Sequence, residues 1–214
     1  MLDQEIIDET AKFFRQTLEK EGSGHDWQHI KRVWNNSILL NKEEKADNFI
    51  VEIAALLHDI ADWKLHEEKA GSAKAEIWLK ELGVDGERIG HVCDIIETIS
   101  FKGKDAIKPM KTIEGKIVQD ADRLDALGAI GIARCFVYSG YKGKPIYDPS
   151  ITLDSKNYIE NSRSNQGTAI NHFYEKLLLL KDLMNTQTGK KIAEERHAFM
   201  EEYLKQFFKE WNAA

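Results

Sequence analysis

The sequence predicts an all-α fold, and three features predict it. Apolar residues recur at helical spacing along most of the 214 residues. No run alternates apolar and polar residues over the length of a strand. Short acidic residues stand just before several of the periodic segments, where a side-chain oxygen can accept the free amides of a first helical turn. Roughly nine helices are expected. Leu2 to Lys20 forms the first, stopped by Gly22 and Gly24. Asp26 caps a second that runs to about Asn41, and Asp47 caps a third. That third run, Phe49-Ile-Val-Glu-Ile-Ala-Ala-Leu-Leu-His-Asp-Ile60, is apolar on almost every face, the pattern of a central buried helix. Glu67 to Leu82 reads as a fourth with Gly83 as its stop, and Asp85 caps the next, through Ile99. Residues 100–114 break the pattern with a basic loop around Pro109. Helical periodicity returns from about Ile117 to Phe136. A second irregular region, about 139–166, is too long for a simple connection and is expected to be a functional loop that shapes specificity. The last third, Gly167 to Trp211, reads as a pair of long helices with a turn near Thr186–Gly189.

A hydrophobic fraction of 42% supports a real core, and the length suits one domain, 1–214. Within it, a core of about 22–135 carries the chemistry and a helical extension of about 167–214 follows. Net charge is −6, which gives no overall attraction to nucleic acid polymers. No apolar stretch is long enough for a bilayer, and the acidic, amphipathic start lacks the pattern of a signal peptide. Cys93 and Cys135, the only cysteines, lie in apolar helical contexts and read as buried thiols. A cytoplasmic protein with no membrane partner is expected.

The chemistry gathers at three places. An imidazole and a carboxylate at His58-Asp59, buried at the end of an apolar helix, would be costly without partners. A bound cation removes that cost. His29 can supply a third ligand and a distant aspartate a fourth, giving a mixed nitrogen and oxygen site with room for water and substrate. His58 and Asp59 are about 100° apart around a helix axis, but a helix end lets neighbouring side chains converge. The helical wheel sets Asp120 and Asp122 on opposite flanks of an apolar face and does not choose between them.

These residues stand in a recognisable order. Gly-His-Asp-x-x-His-x-x-Arg-Val at 24–33, His58-Asp59, Asp-Ala-Asp-Arg-Leu-Asp-Ala at 120–126 and Asn-His-Phe-Tyr-Glu-Lys-Leu at 171–177 together resemble the HD superfamily of metal-dependent phosphohydrolases. The likeness is closest to a bacterial group similar to nucleotide pyrophosphohydrolases. The resemblance implies an HD-domain helical bundle and metal ligands His29, His58, Asp59 and Asp122, with Asp120 as a supporting acceptor. It implies one divalent ion (manganese, iron, nickel, cobalt or magnesium), since the paired-histidine run of two-metal relatives is missing. It also implies an acidic catalytic residue just after His58-Asp59. Asp62 holds that position, where relatives usually carry Glu, and Glu67 is a second candidate.

The implied reaction is hydrolysis on a small nucleotide, with release of pyrophosphate from a nucleoside or deoxynucleoside triphosphate favoured. A nucleoside monophosphatase or guanosine alarmone hydrolase is the first alternative, although Trp63 breaks the acidic pair that alarmone hydrolases carry. A metal- and nucleotide-binding regulatory module without turnover is the second. Lys102 in the basic loop, Arg123 beside the last ligand, and His172 and Lys176 on one helix face are candidate substrate-binding residues. Arg123 could equally pair with Asp120 or Glu114, and His91 and His197 read as structural. The aromatic run Phe199, Tyr203, Phe207, Phe208 and Trp211 suits a core or the contact of a homodimer.

Overall fold

A computed structural model describes residues 1–18, 26–60, 70–99, 109–152 and 167–214. Among them there are nine α-helices, one 3₁₀ segment and no strands. They gather into two compact units, Met1–Asp122 and Arg123–Ala214.

The first unit is built around α3 (Asn48–Leu57). Asp47 caps it by accepting a hydrogen bond from the Ile50 amide, as its position in the sequence predicts. Phe49, Ile50, Val51 and Ile53 to Leu57 are all buried. A helix that hides nearly every face needs neighbours on several sides. α1 (Asp3–Thr17), α2 (Trp27–Glu44) and α5 (Gly86–Ile99) supply them. α4 (Ala70–Glu81) packs in turn on α5, burying Ala75 and Leu79. Gly83 takes a left-handed φ of 76° just past α4, a conformation that a side chain would resist. The Asp85 carboxylate accepts the Arg88 amide at the start of α5. Truncating any of the fully buried α3 leucines to alanine would cost about 2–5 kcal/mol.

The sequence reads one helix from about Ile117 to Phe136; the structure has two, and this is a correction. α6 (Ile113–Asp125) and α7 (Gly128–Tyr141) are separated by Leu127 in an extended conformation and Gly128 at φ 70°. Gly131 makes the tight turn possible, because a Cβ there would lie 2.2 Å from the Ala126 carbonyl oxygen. Apolar periodicity runs through this break, which is why periodicity alone missed it; the glycine pair was the available signal.

In the second unit α7 packs on α8 (Ala169–Glu175) and on the 25-residue α9 (Gln187–Trp211). The expected pair of long helices is realised as one. Helix α8 gives way after Lys176, whose φ of −137° is not helical, to a 3₁₀ segment over Leu177–Leu183. Thr186 then caps α9 by accepting the Gly189 amide at 2.9 Å, at the predicted turn. The irregular region expected at 139–166 begins later, since α7 continues to Tyr141, and residues 153–166 lie outside the described part. Cys93 and Cys135 are free thiols, and burial pushes Cys135 up to about 12. No described helix is long and apolar enough to cross a membrane.

Candidate metal centre

Two local structures aim the histidines. Asp26 caps α2 by accepting the His29 amide at 2.9 Å, which fixes His29 in the first helical turn. His58 occupies the C-cap of α3, still in helical conformation, so the chain turns away immediately after it and Asp59 is released from the helical wheel. The Nδ1–H of His58 donates to the Ala55 carbonyl at 2.8 Å. That bond assigns the proton to Nδ1 and leaves the Nε2 lone pair available, the usual arrangement behind a metal-binding imidazole.

The free ends converge. His58 Nε2 lies 3.3 Å from His29 Nε2. Asp59 Oδ2 is 3.2 Å from His29 Nε2 and 3.6 Å from His58 Nε2. Asp122 Oδ1 is 3.7 Å and 3.8 Å from the same two nitrogens. Atoms that share one ion at about 2.0–2.2 Å stand roughly 3.0–3.5 Å apart at neighbouring coordination positions. These separations fit that spacing with little adjustment. Two imidazole nitrogens facing each other beside two carboxylates also have the charge balance that a divalent cation completes. The imidazoles are 1% exposed, whereas the Asp59 and Asp122 side chains are 20% and 36% exposed. Open coordination positions would therefore face the carboxylate side.

The structure also separates the two aspartates that the helical wheel could not. Asp120 is completely buried, and Asp122 is the one whose oxygen approaches the histidines. The Ala55 carbonyl is a part of the site that sequence reading missed; a backbone acceptor three residues before a histidine leaves no trace in side-chain type.

Asp62, Glu67 and Lys102 lie outside the described residues, as does His25. Arg123 is buried and donates to the Leu183 carbonyl, an architectural partner in the second unit rather than Glu114. Glu114 instead accepts the Asp47 amide. His172 and Lys176 share a turn of the second unit, as their spacing predicts. Burial and the charges of Lys176 and Lys144 push the His172 imidazole down to about 3, so it is neutral at physiological pH. His91 bonds Thr112 at 3.0 Å and His197 lies 3.3 Å from Glu201.

Beside Asp59 the first unit holds a cavity of about 420 Å³ that no sequence motif announced. Phe13, Phe14, Thr17 and Leu18 of the α1 end, Asp59 and Ile60, and Lys74, Ile77, Trp78 and Glu81 of α4 line it.

The HD domain family pattern matches residues 26–127. The chain is 42% identical to YpgQ of Bacillus subtilis (strain 168), over 98% of this chain and 96% of YpgQ. A solved structure of YpgQ in complex with ADP superposes with a TM-score of 0.74 at 40% identity, covering 95% of this chain and 97% of that one. An HD-superfamily hydrolase from Bacillus thuringiensis is 50% identical with a TM-score of 0.77, covering 99% and 100%. A protein from Lactobacillus plantarum is 39% identical with a TM-score of 0.88, over the full length of both chains.

Proposed function

The chain belongs to the HD-domain family and is a metal-dependent phosphohydrolase of that superfamily, and we propose that it releases pyrophosphate from a nucleoside or deoxynucleoside triphosphate. The observation that carries this reading is the cluster of His29, His58 and Asp59, whose ligand atoms all lie within 4.8 Å of one another, with Asp122 Oδ1 at 3.7 Å and 3.8 Å from the two imidazole nitrogens. The nucleotide part is supported by YpgQ, whose structure holds ADP.

His29, His58, Asp59 and Asp122 would hold one divalent ion; manganese, iron, nickel, cobalt and magnesium all suit such a donor set. When bound, such an ion supplies a lowered pKa for water and neutralises charge on a phosphate oxygen. The chain's own contribution is to pre-set the ligands. The Ala55 carbonyl holds the His58 tautomer and the Asp26 cap holds the turn that carries His29. Little reorganisation is then left for the reaction itself. Asp62 is proposed to orient the attacking water and take its proton, with Glu67 as the second candidate. Lys102 and Lys176 are proposed to offset phosphate charge as the leaving group departs. A neutral His172 would serve as a hydrogen-bonding group rather than a cation.

The test is product analysis on metal-stripped protein restored with manganese, against nucleoside mono-, di- and triphosphates and a guanosine alarmone. Pyrophosphate released from triphosphates, and abolished in His58→Ala and Asp59→Ala, is the expected result. Release of single phosphate would replace the reading with a monophosphatase. Tight metal and nucleotide binding without turnover would make the protein a regulatory module.

A further inference from the structure

We propose that the cavity between the end of α1 and α4 is the pocket that takes the base of the nucleotide, with Phe13, Ile77 and Trp78 as its recognition surface. The inference rests on the nucleotide reading above and adds where the organic half of the substrate sits. Three observations carry it.

The first is position. Asp59 lines the cavity and also stands 3.2 Å from His29 Nε2 among the metal ligands. A phosphate chain held at the ligands has the cavity as its immediate neighbour on that side.

The second is construction. Lys74, Ile77, Trp78 and Glu81 stand at i, i+3, i+4 and i+7, one continuous face of α4. Another face of α4 buries Ala75 and Leu79 in the core, so Ile77 and Trp78 stand apart from that core contact. Ile77 is 60% exposed, an unusual state for a large aliphatic side chain on a cavity wall.

The third is order. The Trp78 indole is held in place by donating Nε1–H to Thr10 Oγ1 at 3.0 Å, and Thr10 is itself buried and bonded to the Ile6 carbonyl. Phe13 stacks on the indole with centroids 4.4 Å apart and planes 27° from parallel. Phe14 meets Phe13 edge-on at 5.5 Å. A pre-ordered aromatic wall suits a flat heteroaromatic ring, which can pack against it with little loss of side-chain entropy. A volume of about 420 Å³ falls in the range of small-molecule sites and accommodates such a ring. Away from Asp59, Lys74, Glu81 and Thr17 are the polar side chains in a mainly apolar lining, the few groups that would read a base edge.

The experiment compares two probes on the full-length, manganese-loaded protein by titration calorimetry: ADP, which carries a base, and inorganic pyrophosphate, which does not. Wild-type protein is expected to bind ADP more tightly. Ile77→Asp places a charge on the exposed wall without touching the core, and Trp78→Ala removes the aromatic surface. Each is expected to lower the ratio of ADP to pyrophosphate affinity roughly tenfold or more, the equivalent of one lost apolar contact surface. Circular dichroism separates loss of fold from loss of recognition for Trp78→Ala, and Ile77→Asp carries the test if Trp78→Ala unfolds. Equal affinity for the two probes in wild type, or an unchanged ratio in Ile77→Asp, overturns the proposal. Because the readout is binding, a protein that discriminates ADP through this pocket but releases no pyrophosphate would refute only the proposed reaction.

Discussion

The two units of this protein surround their buried ionisable groups differently. In Met1–Asp122 the groups converge: His29 and His58 turn their Nε2 atoms toward each other and toward Asp59 and Asp122. In Arg123–Ala214 three buried or half-buried groups each meet a partner of their own, while His172 lies among the charges of Lys144 and Lys176. Arg123 ends on the Leu183 carbonyl, Arg196 on the Leu124 carbonyl, and Asp125 pairs with Arg134 at 3.0 Å. Convergence of donors of one kind on a point leaves something for a ligand to complete, whereas a cation ending on a carbonyl or carboxylate is already complete. Burial of charge is therefore not by itself a sign of function; the geometry of the partners is.

The largest effect should come from breaking the convergence. His58→Ala is expected to lower phosphohydrolysis at least roughly 10³-fold, since the ion and the water it activates lose their anchor together. The same variant supplies a check independent of turnover. Saturating manganese should raise the thermal midpoint of the wild type, because a ligand at a hundred times its Kd adds about 2.7 kcal/mol of stability. The rise should vanish in His58→Ala. A manganese-dependent midpoint that survives the substitution would place the ion elsewhere.

Breaking a pair in the second unit should cost stability and leave metal binding alone. Asp125 is buried, so Asp125→Ala removes the carboxylate that the Arg134 guanidinium meets at 3.0 Å and is expected to cost about 2 kcal/mol in urea unfolding. Replacing both partners with apolar residues, Asp125→Leu with Arg134→Met, should recover most of it. A double variant as unstable as the single one would mean that the pair contributes more than mutual neutralisation.

His172 gives the second unit an acid sensitivity. Its pKa is held near 3 when folded, below the ordinary value of 6.5, so the unfolded chain binds more protons between those two values. The stability contributed by the neutral imidazole is complete above pH 6.5 and is lost as pH falls toward 3. The slope from one group is at most about 1.4 kcal/mol per pH unit. His172→Gln should flatten the fall in stability between pH 6 and pH 4.5. An unchanged slope would show the imidazole free to protonate in the folded state.

Much of this was legible in the sequence, for reasons that differ between the units. Caps are local, so Asp26, Asp47 and Asp85 could be placed from neighbouring residues alone. The buried helix α3 announces itself by having no polar face. The proposed metal ligands could be singled out because chemistry restricts such residues to a few types in a fixed order. The break at Ala126–Leu127 was not, because apolar spacing on either side stays in phase and only Gly128 and Gly131 mark the turn. Nor was the shift from α8 to a 3₁₀ segment within Leu177-Leu-Leu-Leu180, where the residues themselves favour helix. The cavity was invisible for a third reason. Ile77 and Trp78 look like core residues at helical spacing until the packing of α4 shows which stripe the core already uses.

The smallest predicted effect separates the units most cleanly, because it applies one change to both. Asp26 caps α2 through the His29 amide and Thr186 caps α9 through the Gly189 amide, each at 2.9 Å. Losing either oxygen leaves a first-turn amide without its partner, and Asp26→Ala and Thr186→Ala should each cost about 1 kcal/mol. The equal loss of stability hides an unequal consequence. The amide released in Asp26→Ala belongs to His29, so fraying of that turn moves a proposed ligand, and manganese affinity should fall roughly tenfold, as when a supporting partner of a metal ligand is removed. Thr186→Ala frays a turn that carries no proposed ligand, and its manganese affinity should match the wild type. Calorimetric titration of both variants, at a temperature where both are folded, reads the difference. If both variants lose affinity equally, metal binding follows global stability rather than the local geometry of the α2 turn, and the cap of α2 has no special part in building the site.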